Sequence, residues 1–171
     1  SYLSVLEAIK HAAWAINRKP DIVWLNSEDF EKRPASVAQE LKKLDGVLIP
    51  GGFGTRGIEG KLKAIKYVRE HKVPYLGLCY GMQLATVEVA RDLLGWKDAN
   101  TTEINPKSSH PVIHLMNEQE EKMNDADYGG TMRLGEYPCV LKKGSLARKL
   151  YGTDTILERH RHRYEANPTY R

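Results

Sequence analysis

Residues 73–94 change from the hydrophobic spacing of a strand to that of a helix, and this change constrains the fold more than any other part of the chain. The segment reads VPYLGLCYGMQLATVEVARDLL. Its first six residues form an apolar run of strand length. The apolar residues that follow recur at the spacing of one helical face; they are Leu84, Val87, Ala90 and Leu94. The segment therefore predicts a strand that turns directly into a helix.

The turn between them reads GLCYG, with Cys79 between two glycines. A nucleophile flanked in this way at a strand-to-helix turn is typical of a nucleophile elbow, which holds the side chain strained and exposed. A thiol at a helix start lies near free N–H groups and the positive end of the dipole, so we expect the pKa of Cys79 to fall below about 8.5. The same N–H groups could hold an oxyanion. The alternative is a buried structural cysteine, and the motif alone leaves both open.

Strand and helix patterns alternate along the first half of the chain. We expect helices over residues 1–18, 36–44 and 61–72, the first packed on the core, and strands over residues 21–27 and 45–50. This alternation predicts an α/β sandwich with a mostly parallel sheet and helices on both faces. Right-handed crossovers would bring the glycines after residue 50 to the same sheet edge as Cys79, where such folds bind ligands.

The second half is less regular and predicts a small antiparallel part. Along it we expect a strand at residues 112–116, an acidic mobile loop at 117–128, a strand pair around Gly135 at 129–141, a short helix at 145–151 and an extended segment at 156–165.

Composition excludes several classes of protein. The 171 residues suffice for one domain, and the net charge of +4 is spread along the chain, so no nucleic-acid partner is indicated. The sequence has no apolar run of membrane-spanning length and no signal-peptide pattern, which predicts a cytoplasmic protein. Cys79 and Cys139 are too few for a disulfide framework or a cysteine-based metal site.

The glycine-rich sequence GGFG at residues 51–54 directly follows the second predicted strand. It is neither a dinucleotide fingerprint nor a P-loop. Its glycines would let a ligand approach the backbone, so an N–H donor for a carbonyl oxygen is one interpretation. A plain turn between strand and helix is the other.

Residues 158–164 read ERHRHRY and suggest at first a metal or nucleic-acid site. In an extended segment Arg159, Arg161 and Arg163 would share one face and the two histidines the other. A solvated edge strand explains this pattern equally well. One arginine turned towards the site could clamp a small carboxylate.

A cysteine nucleophile needs a base, which is usually a histidine held by a third group. None of the six histidines is followed at short range in the sequence by the carboxylate that a histidine base would use, apart from those in the Arg-His tract. They are His11, His71, His110, His114, His160 and His162. The sequence alone therefore provides no convincing base.

Five stretches together resemble the class I (triad) glutamine amidotransferase domain of the CTP synthase family. They are VLIPGGFGTRGIEGKLKAI from residue 47, PYLGLCYGMQLA from 74, ANTTE from 99, GGTMRLG from 129 and ERHRHRYEANP from 158. The resemblance covers nearly the whole chain. It implies a flavodoxin-like fold in which Cys79 forms a γ-glutamyl thioester and ammonia is released.

The resemblance also implies roles for other residues. Gly52 and the backbone of Tyr80 would form the oxyanion hole, and Glu103 and Arg163 would bind L-glutamine at its α-ammonium and fix its pose. The further positions that match glutamine-binding residues are Gly81, Met82 and Gln83. Phe53, Arg56 and Gly57 would lie in a lid loop through which GTP activates the reaction. Most relatives have leucine at position 80, and the ring of Tyr80 could narrow the pocket.

The resemblance implies a partial glutaminase domain over residues 1–171, incomplete at both ends. The triad His and Glu of the family lie in an H-P-E-F segment expected beyond Arg171, so we expect this piece alone to be inactive. The synthetase domain, which would use ATP and Mg²⁺ to aminate UTP, and through which relatives form homotetramers, would also lie outside it. No cofactor or metal is expected in this domain. The alternatives are a free-standing γ-glutamyl thiol hydrolase and a non-catalytic glutamine-binding regulatory module.

Overall fold

The structure is a computed structural model that describes residues 2–115 and 133–170. Its contacts divide the chain into two compact units. The first contains Ser1–Ile113 and Ala166–Arg171, and the second contains His114–Glu165.

The first unit carries most of the regular structure. Its elements in chain order are α1 (Leu3–Ala15), α2 (Ser27–Lys32), α3 (Ser36–Leu41), β1 (Val47–Ile49), α4 (Ile58–Glu70), β2 (Tyr75–Gly77), α5 (Tyr80–Asp92), β3 (Asn100–Thr101) and most of β4 (Pro111–Leu115). The change of pattern within residues 73–94 thus predicts β2 and α5 correctly.

Strands β1 and β2 are parallel, with Val47 opposite Tyr75 and Ile49 opposite Gly77. The pairing continues one step past the strands, where the N–H of Leu78 donates to the carbonyl of Ile49 at 2.9 Å. Because both strands end at the same level, the segments that follow them leave from one edge of the sheet. A second parallel pair, β3 with β4, lies in the same unit.

The main apolar core lies between α2, α3 and α4. It is built from the buried side chains of Phe30, Val37, Leu41, Ala64 and Val68. These side chains fix α4 against the two short helices, and α4 in turn packs on α5. The core therefore supports the two helices that begin next to the sheet edge.

The strand predicted over residues 21–27 is wrong. Residues 18–26 have no regular structure, and α2 begins at Ser27 with the Asn26 side chain accepting the N–H of Glu28. An apolar run becomes a strand only where a neighbouring backbone completes the hydrogen-bond ladder. Within the described residues, no backbone hydrogen bond reaches residues 21–25.

The expectation that the first helix packs on the core is also wrong. Helix α1 forms, but none of its residues is buried. Its apolar residues Val5, Leu6 and Ile9 line a cavity that also includes Leu48 of β1. The helical periodicity correctly predicts the apolar face but not what covers it.

The second unit is built on an antiparallel strand pair. β5 (Arg133–Val140) pairs with β6 (Thr155–His162) along eight residues, and α6 (Leu146–Tyr151) connects them. β7 (Tyr164–Ala166) follows.

The strand pair predicted around Gly135 is wrong, because Gly135 lies inside one strand, opposite His160, with φ of +100°. The loop expected at residues 117–128 lies outside the described residues.

Candidate active site

Cys79 lies at the turn between β2 and α5 in a backbone conformation that non-glycine residues rarely adopt. Its φ is +50° and its ψ is −103°, and it is the N-cap residue of α5. Its carbonyl accepts the N–H of Gln83 at 3.1 Å, which begins the helix. Positive φ costs free energy in a side-chain-bearing residue and is concentrated at functional sites. This is the conformation that the elbow motif predicts.

The two flanking glycines are required by close backbone contacts. A Cβ atom on Gly77 would lie 2.6 Å from the carbonyl carbon of Gly81 and from the nitrogen of Met82. A Cβ atom on Gly81 would lie 2.2 Å from the carbonyl oxygen of Ile49. Both distances are too short for a methyl group, so the motif needs glycine at both positions.

The glycine-rich loop at residues 51–54 lies against the elbow, as the parallel strands predict. A Cβ atom on Gly51 would be 3.5 Å from the Cβ of Cys79, and one on Gly52 would be 3.7 Å from Cδ1 of Tyr80. Cys79 itself is exposed. The buried structural cysteine that the motif left open is therefore excluded, and the Cβ of Cys79 packs against the glycine loop.

The expectation of a lowered thiol pKa is wrong. Partial burial of the sulfur raises the pKa of Cys79, the backbone N–H of Tyr80 donates to the thiol and lowers it, and the nearby carboxylate of Glu103 raises it again. Burial disfavours the charged form of the thiol, and this effect is larger than that of the N–H group. A thiolate at this site would need a further proton acceptor.

Tyr80 and Glu103 meet at the glycine loop. Tyr80 is 2% exposed, and its hydroxyl donates to the carbonyl oxygen of Gly54 at 2.5 Å. The N–H of Gly54 donates to Oε1 of Glu103 at 3.0 Å. The structure thus brings together Cys79, Tyr80 and Glu103 around one loop, although Glu103 is 49 residues from Gly54 in the sequence.

Arg56 and Gly57 connect the glycine loop to α4. The guanidinium of Arg56 forms an ion pair with Glu28 at the start of α2 and remains 86% exposed. Gly57 is the N-cap of α4 in the left-handed conformation, where a Cβ atom would lie 2.2 Å from Oγ of Ser27. The segment predicted as a lid is therefore attached to α2. Phe53, which precedes it, is 66% exposed.

Comparisons with known proteins place the chain in a family. The family model described as "Glutamine amidotransferase class-I" matches residues 1–171. The chain belongs to the class-I glutamine amidotransferase family. The resemblance stated from the sequence motifs is thereby confirmed.

The chain is similar over its whole length to part of CTP synthases. It is 53% identical over 171 residues to the CTP synthase of Halalkalibacterium halodurans, covering 100% of this chain and 31% of that protein. It is 55% identical over 167 residues to the CTP synthase of Fibrobacter succinogenes, covering 98% and 28%. The chain thus spans less than a third of the length of these curated relatives.

A solved structure supports the fold assignment. The glutaminase domain of Trypanosoma brucei CTPS with bound acivicin matches with a TM-score of 0.89 and 39% identity, over 99% of this chain and 63% of that chain. This confirms the predicted flavodoxin-like amidotransferase fold with parallel and antiparallel strands.

Two further predicted positions lie on the helix of this amidotransferase elbow. The side chain of Gln83 is buried, with 5% exposed, whereas that of Met82 is 44% exposed. Gly81 contacts β1, and its lack of a side chain allows α5 to approach the carbonyl oxygen of Ile49. Their roles in glutamine binding stay predictions.

Arg163 lies in the second unit, at the bend between β6 and β7, and is half-buried. The alternation predicted for the preceding residues is correct, because Arg159 and Arg161 are exposed while His160 and His162 are less so. Arg163 departs from this alternation because the strand bends there. Its role in glutamine binding stays a prediction.

Two histidines have carboxylate partners that the sequence did not reveal. His110 Nδ1 lies 2.6 Å from Oδ1 of Asp98, and His114 Nε2 lies 3.8 Å from Oε1 of Glu165. Only the fold brings these partners together, since they are 12 and 51 positions apart. Within the first unit, the imidazoles of His71 and His110 hydrogen-bond to the Tyr67 carbonyl and to Asp98, not to the Cys79 thiol.

Within residues 2–115 and 133–170, no group of three or more metal-ligating side chains could hold a metal ion. No described helix has the length and apolar character needed to cross a membrane.

Proposed function

We propose that this chain provides the glutaminase active site of a CTP synthase. The Cys79 sulfur attacks the γ-carbonyl carbon of L-glutamine, and the bond from that carbon to the amide nitrogen breaks, which releases ammonia. Water then hydrolyses the γ-glutamyl thioester to glutamate. The single observation that carries this proposal is the strained, exposed Cys79 at the N-terminus of α5 beside the glycine loop.

The surroundings of Cys79 suit a tetrahedral oxyanion. The N–H of Tyr80 already donates to the sulfur, so it points at the region where the carbonyl oxygen would develop charge. The backbone of Gly52 lies against the Tyr80 ring on the other side. N–H donors held in place before the reaction stabilise an oxyanion without reorganising, which is worth about 3–4 kcal/mol per donor in comparable enzymes.

The proposed binding of glutamine rests on the charge of Glu103 and on its position near Cys79. The Glu103 carboxylate is close enough to Cys79 to raise the pKa of the thiol, so it lies within the reach of a bound amino acid. A carboxylate there suits the α-ammonium of glutamine. The family resemblance implies that Arg163 helps to fix the pose of the substrate. The other residues proposed to bind glutamine are Gly81, Met82 and Gln83. The trypanosomal glutaminase domain of the same fold binds the small molecule acivicin, which supports a small-molecule site in this domain.

The whole protein would use the released ammonia in a second domain. The CTP synthase relatives are more than three times as long as this chain, which leaves room for a synthetase domain that aminates UTP with ATP and Mg²⁺. We propose a cytoplasmic homotetramer, activated by GTP through the lid at residues 53–60. The triad histidine and glutamate would be supplied from outside the described residues.

The proposal is tested by the variant Cys79→Ala in the full-length polypeptide. We expect glutamine-dependent CTP formation to be lost by several powers of ten, whereas ammonia-dependent formation continues at the wild-type rate. Cys139→Ala is the matched control, because this second exposed thiol lies in β5 and should leave both rates unchanged. Survival of both activities in Cys79→Ala would disprove the assigned role.

A further inference from the structure

Both backbone polar groups of Gly54 are held by residues of the proposed active site. Its carbonyl oxygen accepts the Tyr80 hydroxyl at 2.5 Å, and its N–H donates to the Glu103 carboxylate at 3.0 Å. Gly54 has a φ of +79°, a left-handed conformation that glycine adopts without steric cost. Two hydrogen bonds from different elements therefore fix one end of the glycine loop.

The Tyr80 ring contacts the same loop at a second place. Its Cδ1 lies 3.7 Å from the position of a Cβ atom on Gly52, and the ring is buried. The ammonium of Lys61 lies 5.7 Å from the ring centre on the α4 side. The ring is thus enclosed between α4 and the loop, so its hydroxyl has a fixed position from which to hold Gly54.

We propose that Tyr80 is a positioning residue that holds the loop at residues 51–54 in the shape in which Gly51 packs against Cys79 and Gly52 against the Tyr80 ring. This inference rests on the proposed glutaminase function. It assigns to the Tyr80 side chain a task separate from that of its backbone N–H. The hydroxyl does not contact the reacting atoms, and it acts through Gly54.

The shared carboxylate of Glu103 couples this loop to the pocket. The same group that accepts the Gly54 N–H would attract the α-ammonium of glutamine. When the ammonium group of the substrate binds Glu103, the hydrogen bond from the Gly54 N–H to this carboxylate becomes weaker. The Tyr80 hydroxyl then holds the loop from the other side, so the oxyanion site keeps its shape while the substrate is bound.

The test is Tyr80→Phe in the full-length polypeptide, since this variant keeps the ring and removes only the hydroxyl. Loss of one hydrogen bond that acts on the transition state should lower kcat for glutamine about three- to tenfold. We expect KM for glutamine to change by less than about twofold, because the hydroxyl makes no contact with the substrate. Ammonia-dependent CTP formation should stay at the wild-type rate.

A second measurement separates positioning from general stability. Cys79 is labelled with iodoacetamide, which needs only the thiolate, and with the chloroketone analogue of L-glutamine, which also needs an aligned pocket and oxyanion site. Tyr80→Phe should reduce the ratio of the chloroketone rate to the iodoacetamide rate by about the same factor as kcat. Tyr75→Phe is the matched control, because the Tyr75 hydroxyl donates to the carbonyl of Gly81 at 2.8 Å and does not touch the loop.

The outcomes are distinguishable. A reduced ratio in Tyr80→Phe with an unchanged ratio in Tyr75→Phe supports the proposal. An unchanged ratio and kcat in Tyr80→Phe, in an otherwise active enzyme, overturns the role of Tyr80 alone. A wild-type polypeptide whose Cys79 resists the chloroketone overturns the proposed function, and this inference with it.

Discussion

The backbone of Gly81 lies so close to Ile49 that a methyl group on Gly81 would be 2.2 Å from the Ile49 carbonyl oxygen. Helix α5 can approach β1 to this extent only because residue 81 has no side chain. Gly81→Ala should therefore move the helix or the strand, and we expect it to lower the free energy of unfolding by at least about 2 kcal/mol. Chemical denaturation measures this loss.

Gly46→Ala is the control for that substitution. A Cβ atom on Gly46 would lie 3.4 Å from the carbonyl oxygen of Pro74, an ordinary contact. The free energy of unfolding should change by less than about 0.5 kcal/mol. Equal stability of Gly81→Ala and Gly46→Ala would contradict the contact between α5 and β1.

The ion pair between Arg69 and Glu88 joins α4 to α5. Nε and Nη2 of Arg69 donate to the Glu88 carboxylate at 2.7–3.0 Å, and the Glu88 side chain is only 3% exposed. Glu88→Ala removes the partner of a partly buried cation and should cost about 2–3 kcal/mol of unfolding free energy. Glu40→Ala breaks an exposed pair with Lys43 and should cost less than about 1 kcal/mol. Comparable losses in urea denaturation would show that the pair contributes no more than a surface contact.

Burial is the main cause of the raised pKa of the Cys79 thiol, and the carboxylate of Glu103 adds to it. A negative charge disfavours a nearby thiolate, so Glu103 raises the pKa of Cys79. Glu103→Gln removes the charge, and the midpoint of iodoacetamide labelling against pH should move to lower pH. Glu59→Gln, whose carboxylate pairs with Arg91, should leave the midpoint in place. A midpoint that stays fixed, or rises, in Glu103→Gln would rule out this electrostatic contribution.

Arg56 provides a test of the proposed GTP-responsive lid. In the structure its guanidinium is paired with Glu28. A triphosphate would compete for this cation, so Arg56→Ala should weaken the stimulation of glutamine hydrolysis by GTP. Glu28→Gln keeps the arginine but loosens the pair, and half-maximal stimulation should then occur at a lower GTP concentration. Full stimulation of Arg56→Ala by GTP would remove Arg56 from the lid mechanism.

The sequence predicts the elbow well because its signals are local. The change of period within residues 73–94 and the two glycines around Cys79 specify β2, the turn and α5 without reference to the rest of the chain. The meeting of the glycine loop with Cys79 is also predictable, since parallel strands joined by right-handed crossovers end at one edge.

Features that depend on distant partners are not predictable from the pattern alone. Residues 21–27 have the composition of a strand, yet a strand needs a paired neighbour. The contacts of Glu103 with Gly54, and of His110 with Asp98, join residues far apart in the sequence. The direction of the Cys79 pKa shift depends on how far the sulfur is buried, which helix position does not reveal.

The most direct test of the central claim is to trap the covalent intermediate on Cys79. The full-length polypeptide is mixed with L-glutamine, quenched in acid within the first turnover and analysed by peptide mass spectrometry. The account predicts a mass increase of one γ-glutamyl group on the peptide that contains Cys79, and its loss after treatment with hydroxylamine. A γ-glutamyl group on another residue, or turnover of glutamine by Cys79→Ala at the wild-type rate, would contradict it.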